Sequence, residues 1–219
     1  MNVRESGIDL GLYLVTDRSL SGRRPLEKII RESVAGGVSA VQLREKDTGG
    51  REFSELASAL RRVASELGVP LIINDRIDIA LGCRAEGVHL GQSDIHCALA
   101  RRITGKEMII GVSVSTVDEA VEAEADGADY LGVGPLFATM TKADALPAIG
   151  LDVLRSIRRA VRIPLVGIGG INYGNARDVI RAGADGVAVV SAIVASADPG
   201  AAALGLRIAV DESRGGRER

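Results

Sequence analysis

The sequence predicts a single (β/α)8 barrel of the TIM type, and three observations carry that prediction. Short apolar runs alternate with amphipathic stretches along the whole chain, eight times over. A length of 219 residues suits one barrel or one open α/β sheet. The open alternative, a doubly wound sheet, would want a glycine-rich dinucleotide fingerprint after the first strand. Asp17-Arg-Ser-Leu-Ser-Gly22 stands there instead. A small-residue turn also recurs ahead of the even-numbered strands: Ala35-Gly-Gly-Val38, Ala85-Glu-Gly-Val88, Asp126-Gly-Ala-Asp129 and Ala182-Gly-Ala-Asp185. Alternate strands filling alternate layers of a closed barrel would produce such a likeness. The expected organisation is one barrel over 1–210 and a frayed, charged tail over 211–219.

The elements follow in order. Strand one covers 10–16 and a loop 17–24; Pro25 then opens a helix over 26–35, in a first turn where proline costs no hydrogen bond. Gly36 and Gly37 stop it, and 38–44 is strand two. Phe53, Leu56, Leu60, Val63 and Leu67 repeat at helical spacing over 51–67, and Gly68 is the expected C-terminal cap. Strand three is 70–74, followed by a short helix over 77–81. Strands four, five and six are 87–90, 108–112 and 130–133, with helices over 95–103 and 117–126 between them. After strand six a connection of some fifteen residues, far beyond a normal strand-to-helix loop, precedes a helix over 151–160. Strand seven is 164–167, a helix 175–182, strand eight 186–190, and a closing helix 199–210.

Composition excludes several function classes. Aromatic residues are 2% of the chain, so the core must be aliphatic and stacking platforms for single-stranded nucleic acid are lacking. A net charge of −2 with interspersed signs argues against an extended nucleic-acid surface. No apolar run approaches bilayer length and no signal-peptide pattern opens the chain, which leads to the expectation of a cytoplasmic protein off the membrane. Cys83 and Cys97 are too few for a zinc site or a disulfide framework and read as ordinary buried thiols.

In a barrel, chemistry sits at the C-terminal ends of the strands. Strand two ends Val41-Gln-Leu-Arg-Glu-Lys46, so alternation puts Gln42, Arg44 and Lys46 on one face and Val41 and Leu43 on the other. With Val41 and Leu43 outward, an amide, a guanidinium and an ammonium converge at the mouth, which points to an anionic ligand such as a polyphosphate. The bland alternative is a surface charge cluster answered by Glu45 and Asp47. Strand three runs into Asn74-Asp75 and strand four into Gly91-Gln-Ser-Asp94. Two carboxylates at neighbouring strand ends suit one Mg2+, which takes a few carboxylates alongside phosphates and water. Each aspartate could instead cap the helix that follows. His89 points inward on alternation and reads as a hydrogen-bonded core histidine. Ser113 is a hydroxyl at the mouth or a helix-capping loop serine.

A second anion site gathers on the other side. The strand-six loop carries Thr139-Met140-Thr141-Lys142, two hydroxyls and an ammonium bracketed by glycine and proline. Gly167-Ile-Gly-Gly170 after strand seven and Val190-Ser191 after strand eight match the usual barrel phosphate site, where backbone amides hold the anion. Two phosphorylated small molecules facing each other suggest a transferase that joins them and releases pyrophosphate.

These residues resemble the thiamine-phosphate synthase (thiamine-phosphate pyrophosphorylase) family. The segments are Gln42-Leu-Arg-Glu-Lys46, Asn74-Asp75, Val88-His-Leu-Gly-Gln92, Gly134-Pro-Leu-Phe-Ala-Thr-Met-Thr-Lys142, Gly167-Ile-Gly-Gly-Ile171 and Val190-Ser-Ala-Ile193, spread from strand two to strand eight. The resemblance implies a TIM barrel that condenses a hydroxymethylpyrimidine diphosphate with a thiazole phosphate. It places Gln42, Arg44, Lys46, Asn74, Ser113 and Lys142 on the pyrimidine diphosphate, with the intervening Leu43 and Glu45 in the same segment. Asp75 and Asp94 would hold Mg2+. Thr139, Thr141, Gly170, Val190 and Ser191, with Met140 between the threonines, would hold the thiazole phosphate. Arg44, Lys46, Lys142 and Ser113 would act on the reacting groups. Ala138 stands where the family often has proline. The partners implied are two small molecules, with homo-oligomer formation left open.

Three other readings compete. A thiazole-phosphate isomerase of similar fold would tend to lack the basic motif of strand two. A non-catalytic sensor would need the phosphate loops but no metal carboxylates. An aldolase or isomerase barrel would want a central base or a Schiff-base lysine, for which Lys46 is the one candidate.

Overall fold

The computed structural model describes residues 8–139 and 147–215. Eight parallel strands close into a barrel in sequence order: β1 (Leu12–Val15), β2 (Ala40–Leu43), β3 (Leu71–Asn74), β4 (Gly87–Leu90), β5 (Ile109–Val114), β6 (Tyr130–Val133), β7 (Leu165–Ile168) and β8 (Gly186–Val189), with β8 pairing back onto β1. Nine helices surround it among the described residues: α1 (Leu26–Ala35), α2 (Gly50–Leu67), α3 (Ile77–Cys83), α4 (Cys97–Thr104), α5 (Val117–Ala125), α6 (Gly150–Ala160), α7 (Ala176–Arg181), α8 (Ser191–Val194) and α9 (Pro199–Arg214). The four-residue α8 is an element the apolar periodicity does not announce, because one turn is too short to show a period.

Alternation along each strand divides two cores. Leu12, Leu14, Val41, Leu43, Leu71, Ile73, Val88 and Leu90 point outward and pack under the apolar faces of the helices. Tyr13, Val15, Ala40, Ile72, Ile109, Tyr130, Val166 and Ala188 fill the barrel interior. The outer core is aliphatic as expected. The interior departs from that expectation, since two of the chain's three tyrosines lie inside it, fully buried. Room for Tyr130 comes from its register partner on the neighbouring β5, since a Cβ on Gly111 would overlap the Tyr130 ring, and a Cβ on Gly132 would press on the His89 ring.

The likeness of the turns ahead of β2, β4, β6 and β8 has a cause other than layering. The residue preceding each even strand makes two bonds to the start of the preceding odd strand. Ser39, Glu86, Asp129 and Asp185 each give a backbone N–H to the carbonyl of Leu12, Leu71, Ile110 and Leu165, at 2.7–3.1 Å. Each also accepts the backbone N–H of that same residue on its side-chain oxygen, at 2.8–3.2 Å. An arginine then secures three of the four: Arg61 on Glu86, Arg101 on Asp129 and Arg158 on Asp185.

The closing helix runs to Arg214, so the expected frayed tail from Asp211 is corrected over its first four residues. Arg207 pairs with Asp211 one turn on, Ser213 is buried and bonded to the Ala209 carbonyl, and Arg214 donates to the Asp185 carbonyl. Residues 216–219 lie outside the described residues.

The clasp yields a graded prediction. Asp129→Ala removes the carboxylate paired with Arg101, which keeps its bonds to the Gly105, Met108 and Gly127 carbonyls, and takes away the side-chain acceptor of the Ile110 amide; it should cost about 3 kcal/mol, whereas Ser39→Ala removes a neutral acceptor and should cost about 1 kcal/mol. Urea unfolding of the two variants checks the order; equal losses would mean that the charge pairing adds nothing.

Candidate active site

The cavity at the C-terminal mouth of the barrel encloses about 380 Å3, part of it open to solvent, and is lined by residues of β1 to β5, β7 and β8. Of the residues expected at a site, Gln42, Arg44, Asn74, Ser113 and Val190 line it. Val15, Thr16, Asp17, His89 and Ile168 line it as well and were not in the expected set. Strand-end position was the available signal for Thr16 and Asp17, one and two residues beyond β1, but neither carries a charge pattern that sets it apart from a loop.

β2 sorts its side chains as alternation requires. Gln42 is 4% exposed inside the barrel, while Leu43 is fully buried in the outer core and so does not reach the cavity with its side chain. Glu45 is likewise spent elsewhere: it pairs with Arg18 and accepts from the Thr48 hydroxyl at 2.7 Å. Both are therefore corrected as side-chain ligands. The surface-cluster alternative for strand two fails on the same geometry, because Glu45 answers Arg18 and leaves Arg44 alone. Arg44 is half-buried on the cavity wall, anchored through its backbone N–H to Thr16 Oγ1 at 3.1 Å. Among the described residues, its guanidinium makes no hydrogen bond.

Lys46 reaches across to β3, with Nζ 2.9 Å from Asp75 Oδ2. Asp75 adopts a left-handed backbone, φ 63°, which an aspartate tolerates and which turns the chain sharply at the strand end. Its neighbour Asp94 accepts the Gly91 N–H at 2.7 Å. The capping alternatives are excluded for both: α3 is preceded by Arg76 and α4 by His96, and neither aspartate caps a helix amide there. Burial raises the Asp94 carboxyl above the usual carboxylate range, and Asp75 pushes the same way, against the Gly91 N–H and the Lys46 charge. Two mutually repelling carboxylates at adjoining strand ends are a donor set that fits a hard divalent cation. A separate trio, His96, Glu122 and Asp126, lies outside the barrel; its imidazole nitrogens face one carboxylate each, at 3.3 and 3.2 Å, the arrangement of an ion pair.

The capping alternative for Ser113 is excluded too. Ser113 belongs to β5, its Oγ 2.8 Å from His89 Nε2, and Thr116 caps α5 through a capping box with Glu119. Asn74 is buried at the end of β3 beside His89 in the β3–β4 register.

Across the same rim, the loop after β6 docks on the end of β7: Leu136 N–H donates to the Ile168 carbonyl and Phe137 N–H to the Gly169 carbonyl. Gly170 has φ 65°, and a Cβ there would collide with the Ala138 carbonyl and Phe137. Glycine is thus required by loop packing as well as by any close ligand approach. Thr139, at the end of this docked segment, and Ser191, opening α8, stand on this rim. Met140, Thr141 and Lys142 lie outside the described residues.

Comparison with known proteins agrees with this geometry. The sequence model for thiamine monophosphate synthase matches residues 12–193. A thiamine-phosphate synthase of Moorella thermoacetica is 53% identical over 204 residues, covering 93% of this chain and 97% of that one. One of Chloroflexus aurantiacus is 54% identical over 203 residues, covering 93% and 94%. The solved thiamine phosphate pyrophosphorylase of Pyrococcus furiosus superposes with a TM-score of 0.87 at 43% identity, over 94% of this chain and 98% of that one. A 3-hexulose-6-phosphate synthase at 20% identity, TM-score 0.70, shares the fold alone. No helix among the described residues is long and apolar enough to cross a membrane. With a closed (β/α)8 barrel, a polar cavity at its mouth and relatives of this closeness over nearly its full length, the chain belongs to the thiamine monophosphate synthase family, as a transferase of thiamine biosynthesis.

Proposed function

We propose that this chain condenses 4-amino-2-methyl-5-hydroxymethylpyrimidine diphosphate with 4-methyl-5-(2-hydroxyethyl)thiazole phosphate, or its carboxylated tautomer, by a dissociative displacement assisted by Mg2+. The observation that carries this reading is the cluster of Lys46, Asp75 and Asp94 at the ends of β2 to β4, close in the chain to the cavity residues Arg44 and Asn74. Asp75 and Asp94 would hold the ion, which supplies positive charge to the leaving diphosphate.

The C–O bond to the diphosphate breaks first and its electron pair leaves with pyrophosphate. The aminopyrimidine carries the positive charge left on the exocyclic carbon. Arg44 and Lys46, with Lys142 from the strand-six loop, stabilise the charge that develops on the leaving oxygen. The thiazole nitrogen then attacks with its lone pair, closing the C–N bond; the carboxylated thiazole loses its carboxyl as CO2 to reach the same product. Thr139, Thr141, Gly170, Val190 and Ser191 hold the thiazole phosphate so that this nitrogen is already in place, and much of the rate comes from that positioning. No proton has to be abstracted in this step, so neither Asp17 nor His89, which also line the cavity, is asked to act as a base. Cover from the strand-six loop would keep water from the cation.

A coupled assay with both phosphorylated substrates, with and without Mg2+, tests the reading: thiamine phosphate and pyrophosphate should form together and only with the metal. Release of pyrophosphate without coupling, or coupling without metal, would remove it. Arg44→Ala should lower kcat/KM for the diphosphate by about 100-fold. Asp75→Asn should raise the Mg2+ concentration for half-maximal rate on the order of tenfold; an unchanged requirement would move the metal elsewhere. Thr139→Ala should raise KM for the thiazole phosphate about fivefold and leave KM for the diphosphate alone, which steady-state kinetics with each substrate varied in turn will show.

A further inference from the structure

Beneath the cavity a line of hydrogen bonds crosses the barrel from β2 to β5. Gln42 Nε2 lies 3.1 Å from the Tyr13 hydroxyl, which is 2.9 Å from that of Tyr130. Tyr130 is 2.9 Å from His89 Nδ1, and His89 Nε2 is 2.8 Å from Ser113 Oγ. We propose that Tyr13, Tyr130 and His89 are positioning residues: their relay fixes Gln42 as an acceptor and Ser113 as a donor toward the substrate, and so selects an amino- over an oxopyrimidine diphosphate. The choice of substrate rests on the function proposed above; the relay itself does not.

Proton counting sets the direction. An amide nitrogen has only protons to give, so Tyr13 accepts from Gln42. Each phenol owns one proton, and burial keeps both phenols from ionising, so neither loses it. Tyr13 therefore donates to Tyr130, and Tyr130 to His89 Nδ1. A neutral imidazole that accepts at Nδ1 carries its proton on Nε2 and donates it to Ser113. The serine keeps its own proton for the ligand. At the other end, Gln42 spends one Nε2–H on Tyr13 and offers Oε1, beside the remaining N–H, as its acceptor for the cavity. The two ends are coupled, because reversing either one reverses every bond between them. A ligand must then bring an N–H to Gln42 and an acceptor to Ser113. An aminopyrimidine diphosphate offers both, while an oxopyrimidine would set carbonyl against carbonyl at Gln42, a mismatch that polar sites reject strongly.

Two measurements test this. The chain has two histidines, so 15N spectra of histidine-labelled wild-type protein and Tyr130→Phe assign the His89 tautomer. The Nε2–H form is expected in the wild type and a loss of that preference in Tyr130→Phe; an Nδ1–H form in the wild type would overturn the relay whether or not the enzyme turns over. In the second, kcat/KM is measured for the amino- and oxopyrimidine diphosphates with Tyr13→Phe and Tyr130→Phe, alongside thermal melting. The preference for the amino compound should fall about tenfold in each variant. Equal losses for both compounds, with the preference intact, would reduce the tyrosines to packing and overturn the proposal. Failure of the wild type to couple the amino compound at all would instead remove the functional reading, with the tautomer result still standing.

Discussion

A backbone amide at the start of a barrel strand faces the end of the molecule where the ladder has run out, and it must find an acceptor or be lost to solvent. In this chain the amides of Leu12, Leu71, Ile110 and Leu165 find one on the side chain just ahead of the next strand. The bond is made four times with the same two-point geometry, so four pairs of strands are pinned in register at this rim. The pinning side chains stand at the N-terminal rim, away from the mouth. The mouth is left free to be polar, charged and backbone-strained, as at Asp75.

The barrel interior shows the same division between the two ends. Below the cavity it is filled by Ile72, Ile109, Val166 and Ala188, with the Tyr130 ring accommodated by Gly111 and the His89 ring by Gly132. Above the rings the phenol oxygens, Gln42, His89 and Ser113 form the polar floor of the cavity. Tyrosine is suited to this boundary because its ring packs as an apolar body and its hydroxyl reaches a partner. Phenylalanine would pack equally well and leave the floor unconnected.

Much of this was legible in the sequence, because it depends on period and position. Eight apolar runs, the amphipathic face of α2 and the Gly68 cap follow from local rules, and the structure has Gly68 in the left-handed conformation those rules require. The face of strand two that carries Gln42 and Arg44 follows from alternation alone. What was not legible depends on distance. Whether Asp75 and Asp94 cap helices or meet one another cannot be read from one-dimensional spacing. Neither can the partner of Glu45, which lies 27 residues away in Arg18. The clasp was visible only as a likeness of turns, and its cause lay in side chains whose partners are one strand back. Tyr13 and Tyr130 read as ordinary apolar strand residues, since nothing in their own runs marks the hydroxyl as used.

On the proposed function, the charges around the mouth are sorted so that binding strength and substrate choice would reside in different groups. Glu45 draws Arg18 outward and Asp75 draws Lys46 toward Asp94, while Arg44 stays on the cavity wall. Arg44 is thereby the cation left on the cavity wall among the described residues, where the proposed diphosphate would lie. Charge of that kind attracts any polyphosphate and carries little information about what is attached to it. Discrimination has to come from neutral groups of fixed direction, since a mismatched donor or acceptor in a dehydrated cavity costs more than a misplaced surface charge. The floor of this barrel consists of such groups, held from below by rings that cannot turn without displacing the strands around them.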